Sequence, residues 1–274
     1  MNLAAAFRTA PPTAWFGLGV VTVGAAIALS APLIAGYGET EIVGSEFAPW
    51  DAEHWFGTDN LGRDMLTRLI YGARNTIGIA AATTALAFVG GGSTGLVAGT
   101  IGGWVDQLLS RTIDVIMGIP SLILSLLLLT IFGTSVASMV LIIAAIEATR
   151  IFRLARALAS GISVLEYVQA AQLRGEGLAW LVFREILPNA RGPLIAEFGL
   201  RFCFVFLFIS TLSFLGLGIQ PPTADWGSMV RDNASLITFG DVTPLMPAGA
   251  IALLTVAVNF IVDWLLHRSS GLKD

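Results

Sequence analysis

The chain has 274 residues, of which 55% are hydrophobic and 12% charged, with a formal net charge of −4. Soluble domains carry about 25% charged residues, so an ordinary soluble fold is excluded and a single integral membrane domain is expected. The one cysteine, Cys203, rules out an intramolecular disulfide.

About 20 apolar residues cross a bilayer, and six stretches qualify, at residues 15–37, 77–102, 115–133, 136–152, 194–217 and 242–265. Residues 1–14 precede the first. That stretch reads as an anchored helix or as a cleaved signal peptide with Ala28 and Ser30 before the cut. Its long apolar run, with only Arg8 ahead of it, favours the anchor. Residues 38–76 form an outer segment rich in turn signals and acids. In the second span Gly90, Gly91, Gly92 and Gly95 lack the lysine that a nucleotide-binding P-loop requires. Small residues there point instead to close helix packing.

Residues 115–146 carry no charge and are too long for one span, so a turn is expected at Gly133, Thr134 and Ser135. The fourth span must accommodate Glu147 near its inner end. Arg150, Arg153 and Arg156 follow on one helical face, where lipid headgroups would meet them. Residues 163–190 are a charged, non-spanning insert. Ser163 and Glu166 have the spacing of a capping box. Ala170 and Ala171 are small enough for close approach by another protein, Gly175 and Gly177 bracket a turn, and Pro188 is expected to stop a second short helix.

Glu197 and Arg201 stand four apart at the inner start of the fifth span, as a helical ion pair would. Ser210 and Ser213 offer a transport path uncharged hydrogen bonding. Beyond the span, Pro221 and Pro222 stiffen the exit and Trp226 suits an interfacial anchor. Asn259, Asp263 and His267 line one face of the last span. Asn259 is the deepest and either bonds a neighbouring helix or lines the path with the two serines. Residues 269–274 form a tail. Arginines cluster around the insert, and Arg8, Arg111, Arg268 and Lys273 share its side, which places both termini in the cytoplasm.

Three blocks carry a family resemblance. Gly57, Thr58, Asp59, Gly62, Arg63, Asp64, Arg68, Tyr71, Gly72 and Arg74 make the first. Gln169, Ala170, Ala171, Gly175, Leu187 and Pro188 make the second, with Gln169 where the family usually has Glu. Ser213, Phe214, Leu215, Gly216, Gly218, Pro221, Pro222, Trp226 and Gly227 make the third. Together they resemble the C-type permease subunit of dipeptide, oligopeptide and nickel ABC importers.

The resemblance implies an all-α protein of about six transmembrane helices with the type I ABC importer permease fold, in a bacterial inner membrane. It implies that the insert, from Glu166 to Pro188, docks on a cytoplasmic ATPase. The partners would be a second, different permease chain, two ATP-binding subunits or domains that hold ATP and Mg, and an extracytoplasmic binding protein that delivers peptide. The outer motifs would receive that protein or shape an outer gate. No catalytic residue, metal site, cofactor or nucleic-acid contact is expected of this chain. A nickel chelate or another small solute is the alternative cargo. An ion-coupled transporter is the rival class, against which stand the lack of inverted repeats and the reading that the acids lie near the inner face.

Overall fold

A computed structural model describes residues 10–269, with the side chains of residues 268 and 269 left aside. Arg8, Lys273 and most of the two terminal segments fall outside the described residues, as does the side chain of Arg268. Helix α1 covers Pro12–Ile34. Helix α2 runs unbroken over Met65–Ile101, 37 residues, with a π-helical turn at Phe88–Gly92. Helices α3, Gly103–Met117, and α4, Ser121–Phe132, meet at 87°. Helix α5 is Val136–Ser163, and the short α6 is Glu166–Leu173. Helix α7 runs over Leu178–Phe214, again 37 residues, with a π-helical turn at Leu181–Ile186. Helix α8 is Trp226–Asn233 and α9 is Leu245–Ser269. Among the described residues four helices are long and apolar enough to cross a membrane, or five if the bent pair is one span. The 28-residue α5 adds a further helix of crossing length whose second half is charged.

Three of these elements differ from the sequence expectation, each for an identifiable reason. The second span begins at Met65 rather than Ile77, because Asp64 caps it by accepting from the Thr67 amide at 2.7 Å. The outer segment therefore ends at Asp64. The third apolar run is broken at Gly118, Ile119 and Pro120, where proline cannot continue the helix, so α4 keeps only 12 residues. Pro188 does not stop a helix. It follows the π-helical turn, whose register already frees a backbone acceptor, and α7 continues through it and through Pro193.

In lipid, helices gain little from burying apolar surface against each other, so small residues that bring backbones together decide the packing. Gly91, Gly95 and Gly99 place α2 against α5. A Cβ at Gly95 would lie 2.5 Å from the Phe152 carbonyl oxygen, and at Gly91 or Gly99 it would run into the carbonyls of Ala148 or Arg156. Gly17 lets α1 meet the Ala257 carbonyl of α9 in the same way, and Gly199 of α7 fits against Val262. Met65, Met139, Ile143, Phe206, Ile209, Leu212 and Met229 fill the space between.

Candidate functional site

At the end of the molecule where α1 leads into α2, two sequence blocks whose paired residues lie 149 or more positions apart close on each other as one clamp. Gly57 and Gly62 take φ of 68° and 73°, so residues 57–64 fold back and put Asp59 beneath its own loop. Asp59 accepts from the amides of Leu61 at 2.9 Å and Arg63 at 3.0 Å. Its other oxygen meets Arg63 Nη2 at 2.7 Å and Arg68 Nε at 3.1 Å. Thr58 accepts from the Ala48 amide at 2.8 Å and donates to the Ser45 carbonyl at 2.6 Å. Thr58, Asp59, Arg63, Asp64 and Arg68 are all buried, and each is engaged within the chain. These motif side chains hold the outer segment together and do not present a charged surface to a partner.

The other half of the clamp is the loop after α7. Arg68 reaches over to the Pro222 carbonyl at 3.3 Å. Glu39 accepts from Asn75 at 2.9 Å and from the Ala224 amide at 2.6 Å. Asp225 caps α8 by accepting from the Ser228 amide at 2.9 Å, and Thr76 donates to it at 3.0 Å. Burial pushes the Asp225 carboxyl up, against hydrogen bonds from Ser228, Ser213 and Thr76 that favour its charged form. Ser213 is buried and accepts from the Ile219 amide at 3.2 Å, which fixes the turn at Gly216 and Gly218. Pro221 and Pro222 lead from that turn into Asp225.

Trp226 is a core residue and not an interfacial anchor. It is 6% exposed, donates from Nε1 to the Leu69 carbonyl at 2.9 Å and packs edge-on to Phe206 at 6.1 Å. Gly72 makes room for it, since a Cβ there would stand 2.6 Å from the indole. Trp226→Phe is expected to cost about 1–2 kcal/mol through the lost indole hydrogen bond and the space left beside Gly72. Thermal unfolding of the detergent-purified protein measures this, and an unchanged midpoint would remove the assignment.

A charged cluster lies in the interior. Glu147 of α5 is 3% exposed, and its two oxygens meet Arg150 and, at 3.3 Å, Arg201 of α7. Arg201 Nε also meets Glu197 at 2.7 Å, the pair expected from their spacing. Cys203 approaches the Thr255 carbonyl at 3.8 Å, and Thr255 lies in the middle of the apolar stretch Leu245–His267. Arg201 therefore lies about 3 Å along its helix from the level of that stretch's middle. The acids expected near the inner face thus pair with Arg150 and Arg201 across α5 and α7. Asn259 donates to its own helix at Thr255, 2.9 Å away, and touches Cys203 at 3.7 Å. Ser210 is buried and donates to Phe206 at 2.9 Å. Of the arginine triplet, Arg150 meets Glu147 and Arg156 meets Asp106 of α3, each with its side chain 38% exposed. Arg153 is the most exposed of the three.

At the other end of α5 and α7, α6 forms a knob. Leu165, not Ser163, precedes its first turn, and Ser163 donates to the Ser160 carbonyl at 3.0 Å, so no capping box forms. Gly175 takes φ of 82° and lets the chain reverse into α7. Val168 and Ala171 are buried against Leu181, which removes Ala171 from any partner contact. Glu166, Gln169, Ala170 and Gly175 stay exposed, with Gln169 bonded to the Val164 carbonyl at 3.2 Å. Leu187 is partly buried and Pro188 exposed on α7. Sequence reading passed over Leu173, which is 90% exposed at the tip, although an apolar residue beside a predicted turn was the available signal.

Comparison with known proteins matches this arrangement. The chain is 37% identical over 262 residues to the dipeptide transport system permease protein DppC of Alkalihalophilus pseudofirmus, covering 94% of this chain and 83% of that one. It is 35% identical to the probable D,D-dipeptide transport system permease protein DdpC of Escherichia coli, over 78% of this chain and 72% of that one. It is 31% identical to the glutathione transport system permease protein GsiD of Pectobacterium atrosepticum, over 81% and 71%. A crystal structure of an amino acid ABC transporter with histidines shares the fold, with a TM-score of 0.54 and 20% identity over 74% of this chain and 94% of that one. Residues 91–270 match the family model described as binding-protein-dependent transport system inner membrane component. The chain belongs to that family of membrane permease subunits.

Proposed function

We propose that this chain is one of two different permease subunits of an ATP-driven importer of di- and oligopeptides, delivered by an extracytoplasmic binding protein. The names of its relatives support the peptide class. The observation that carries the mechanism is the α6 knob, with Leu173 at its tip and α5 and α7 leading from it into the membrane. In this reading the knob sits in the cytoplasm against one of two ATP-binding subunits, which hold ATP and Mg and perform the hydrolysis. Both termini lie on that side, and the complex resides in the inner membrane. Glu166, Gln169, Ala170 and Leu173 face the ATPase, while Ala171, Leu187 and Pro188 set the angle of the knob. Ser210 and Asn259 border the path through their helices rather than by presenting free hydroxyl or amide groups.

ATP hydrolysis by the assembled complex in lipid tests the reading, with binding protein added empty or loaded with dipeptide. Loaded protein is expected to stimulate hydrolysis. Leu173→Asp, which places a charge in an apolar contact, is expected to abolish that stimulation while the subunits still co-purify. Stimulation that survives in the variant removes the knob from coupling. Lack of stimulation by any peptide in the unaltered complex removes the peptide class.

A further inference from the structure

Holding helices together does not account for the whole charged cluster. Arg201 joins α7 to α5 through Glu147, but Arg150 lies on the same helix as Glu147 and adds nothing to that joint. Its side chain is 38% exposed. Arginine carries five N–H donors, and the described contacts of Arg150 engage one nitrogen, with Glu147. Lipid tails offer no acceptor for the others, so an exposed arginine at this depth belongs beside water. The exposed surface continues beside Arg201. The Arg201 guanidinium lies 4.7 Å from the centre of the Phe204 ring, and Phe204 is itself 55% exposed. Thr211, two turns outward on α7, continues the exposed face.

We propose that Arg150, Arg201 and Phe204 line a water-filled translocation path, and that Arg150 there receives the ionised carboxylate of the cargo. The proposal rests on the peptide-importer reading. A carboxylate is the matching group because both acids of the cluster already have arginine partners, whereas Arg150 keeps a planar fork of donors. Arg201 is more enclosed and holds the helix joint, so its role is to position Glu147 and thereby Arg150.

Cys203 is the only cysteine of this chain and is buried, so a thiol introduced elsewhere is read alone when labelling is scored on this subunit after separation from its partners. In the complex assembled with its partners in vesicles, Arg150→Cys and Phe204→Cys are expected to react with a charged, membrane-impermeant thiol reagent. Leu29→Cys, on the outward face of α1, is expected not to react. Phe204→Cys leaves the ion cluster whole and keeps the test valid if Arg150→Cys fails to assemble. Dialanine uptake then tests the carboxylate contact. Arg150→Gln is expected to lower it about ten-fold, the size of one charge-assisted hydrogen bond. Arg150→Lys, which restores the charge, is expected to stay within about three-fold of the unaltered complex. If neither thiol reacts in an assembled complex, the wet path is overturned. Undiminished uptake by Arg150→Gln overturns the carboxylate contact, as does a loss that lysine does not rescue. Failure of the unaltered complex to take up dialanine overturns the peptide reading, and this proposal with it.

Discussion

Asp59→Ala is expected to destabilise the outer segment by about 3–5 kcal/mol, because it leaves two buried guanidiniums without their shared counter-charge. Arg63 and Arg68 are each under 5% exposed, and both converge on one Asp59 oxygen. The loss extends beyond the ion pairs, since the same carboxylate accepts the Leu61 and Arg63 amides that shape the loop. Arg68 also reaches the Pro222 carbonyl, so the damage should spread to the loop after α7. Limited proteolysis of the purified chain would detect it as new cleavage within residues 38–64 and 215–225. Replacing Arg63 and Arg68 with methionine in the Asp59→Ala background should recover part of the stability, since apolar side chains do not require a buried counter-ion. A full set of variants with intact protease resistance would refute the clamp as a stabilising unit.

Gly95→Leu is expected to prevent assembly altogether. The three glycines at 91, 95 and 99 repeat every four residues and bring the backbone of α2 onto the carbonyls of α5. Gly95→Ala already demands displacement of helix backbone and should cost about 2–3 kcal/mol; leucine would push the helices apart and with them the Asp106–Arg156 ion pair at the same end. Gly90 is the control, because a Cβ there meets nothing within 4 Å. Gly90→Ala should change stability by less than about 0.5 kcal/mol. Yield and thermal midpoint of the detergent-purified protein separate these cases, and equal behaviour of the 90 and 95 alanine variants would defeat the packing account.

Local chemistry was readable from the chain, and distant pairing was not. The glycine run announced close packing because no P-loop lysine accompanied it, and Glu197 with Arg201 announced an ion pair because four residues make one helical turn. Asp59, Asp64 and Gly62 stood out as motif residues, but their spacing could not say that the charges point inward. The brace between Glu39, Asn75, Thr76 and Asp225 spans up to 185 residues of sequence and left no periodic trace. Pro188 misled because a π-helical turn changes which carbonyl the proline displaces. Trp226 misled because an indole near a membrane surface is more often an anchor than a core residue, and only Gly72 opposite reveals the slot. The break at Gly118 and Pro120 was hidden inside an uninterrupted apolar run, where hydropathy registers length but not direction.

Helix α7 is about 55 Å long at 1.5 Å per residue, well beyond the roughly 30 Å hydrocarbon core. Its middle is held where Gly199 meets Val262 and Arg201 meets Glu147. One arm continues into α6 and the other into the turn at Gly216 and Gly218. A beam held near its centre pivots there: displacement of the arm that carries α6 obliges the arm that ends at Gly216 to swing the opposite way. In the proposed importer, opening toward one compartment and closing toward the other would then be a single mechanical event, without any chemical message passing between the two faces.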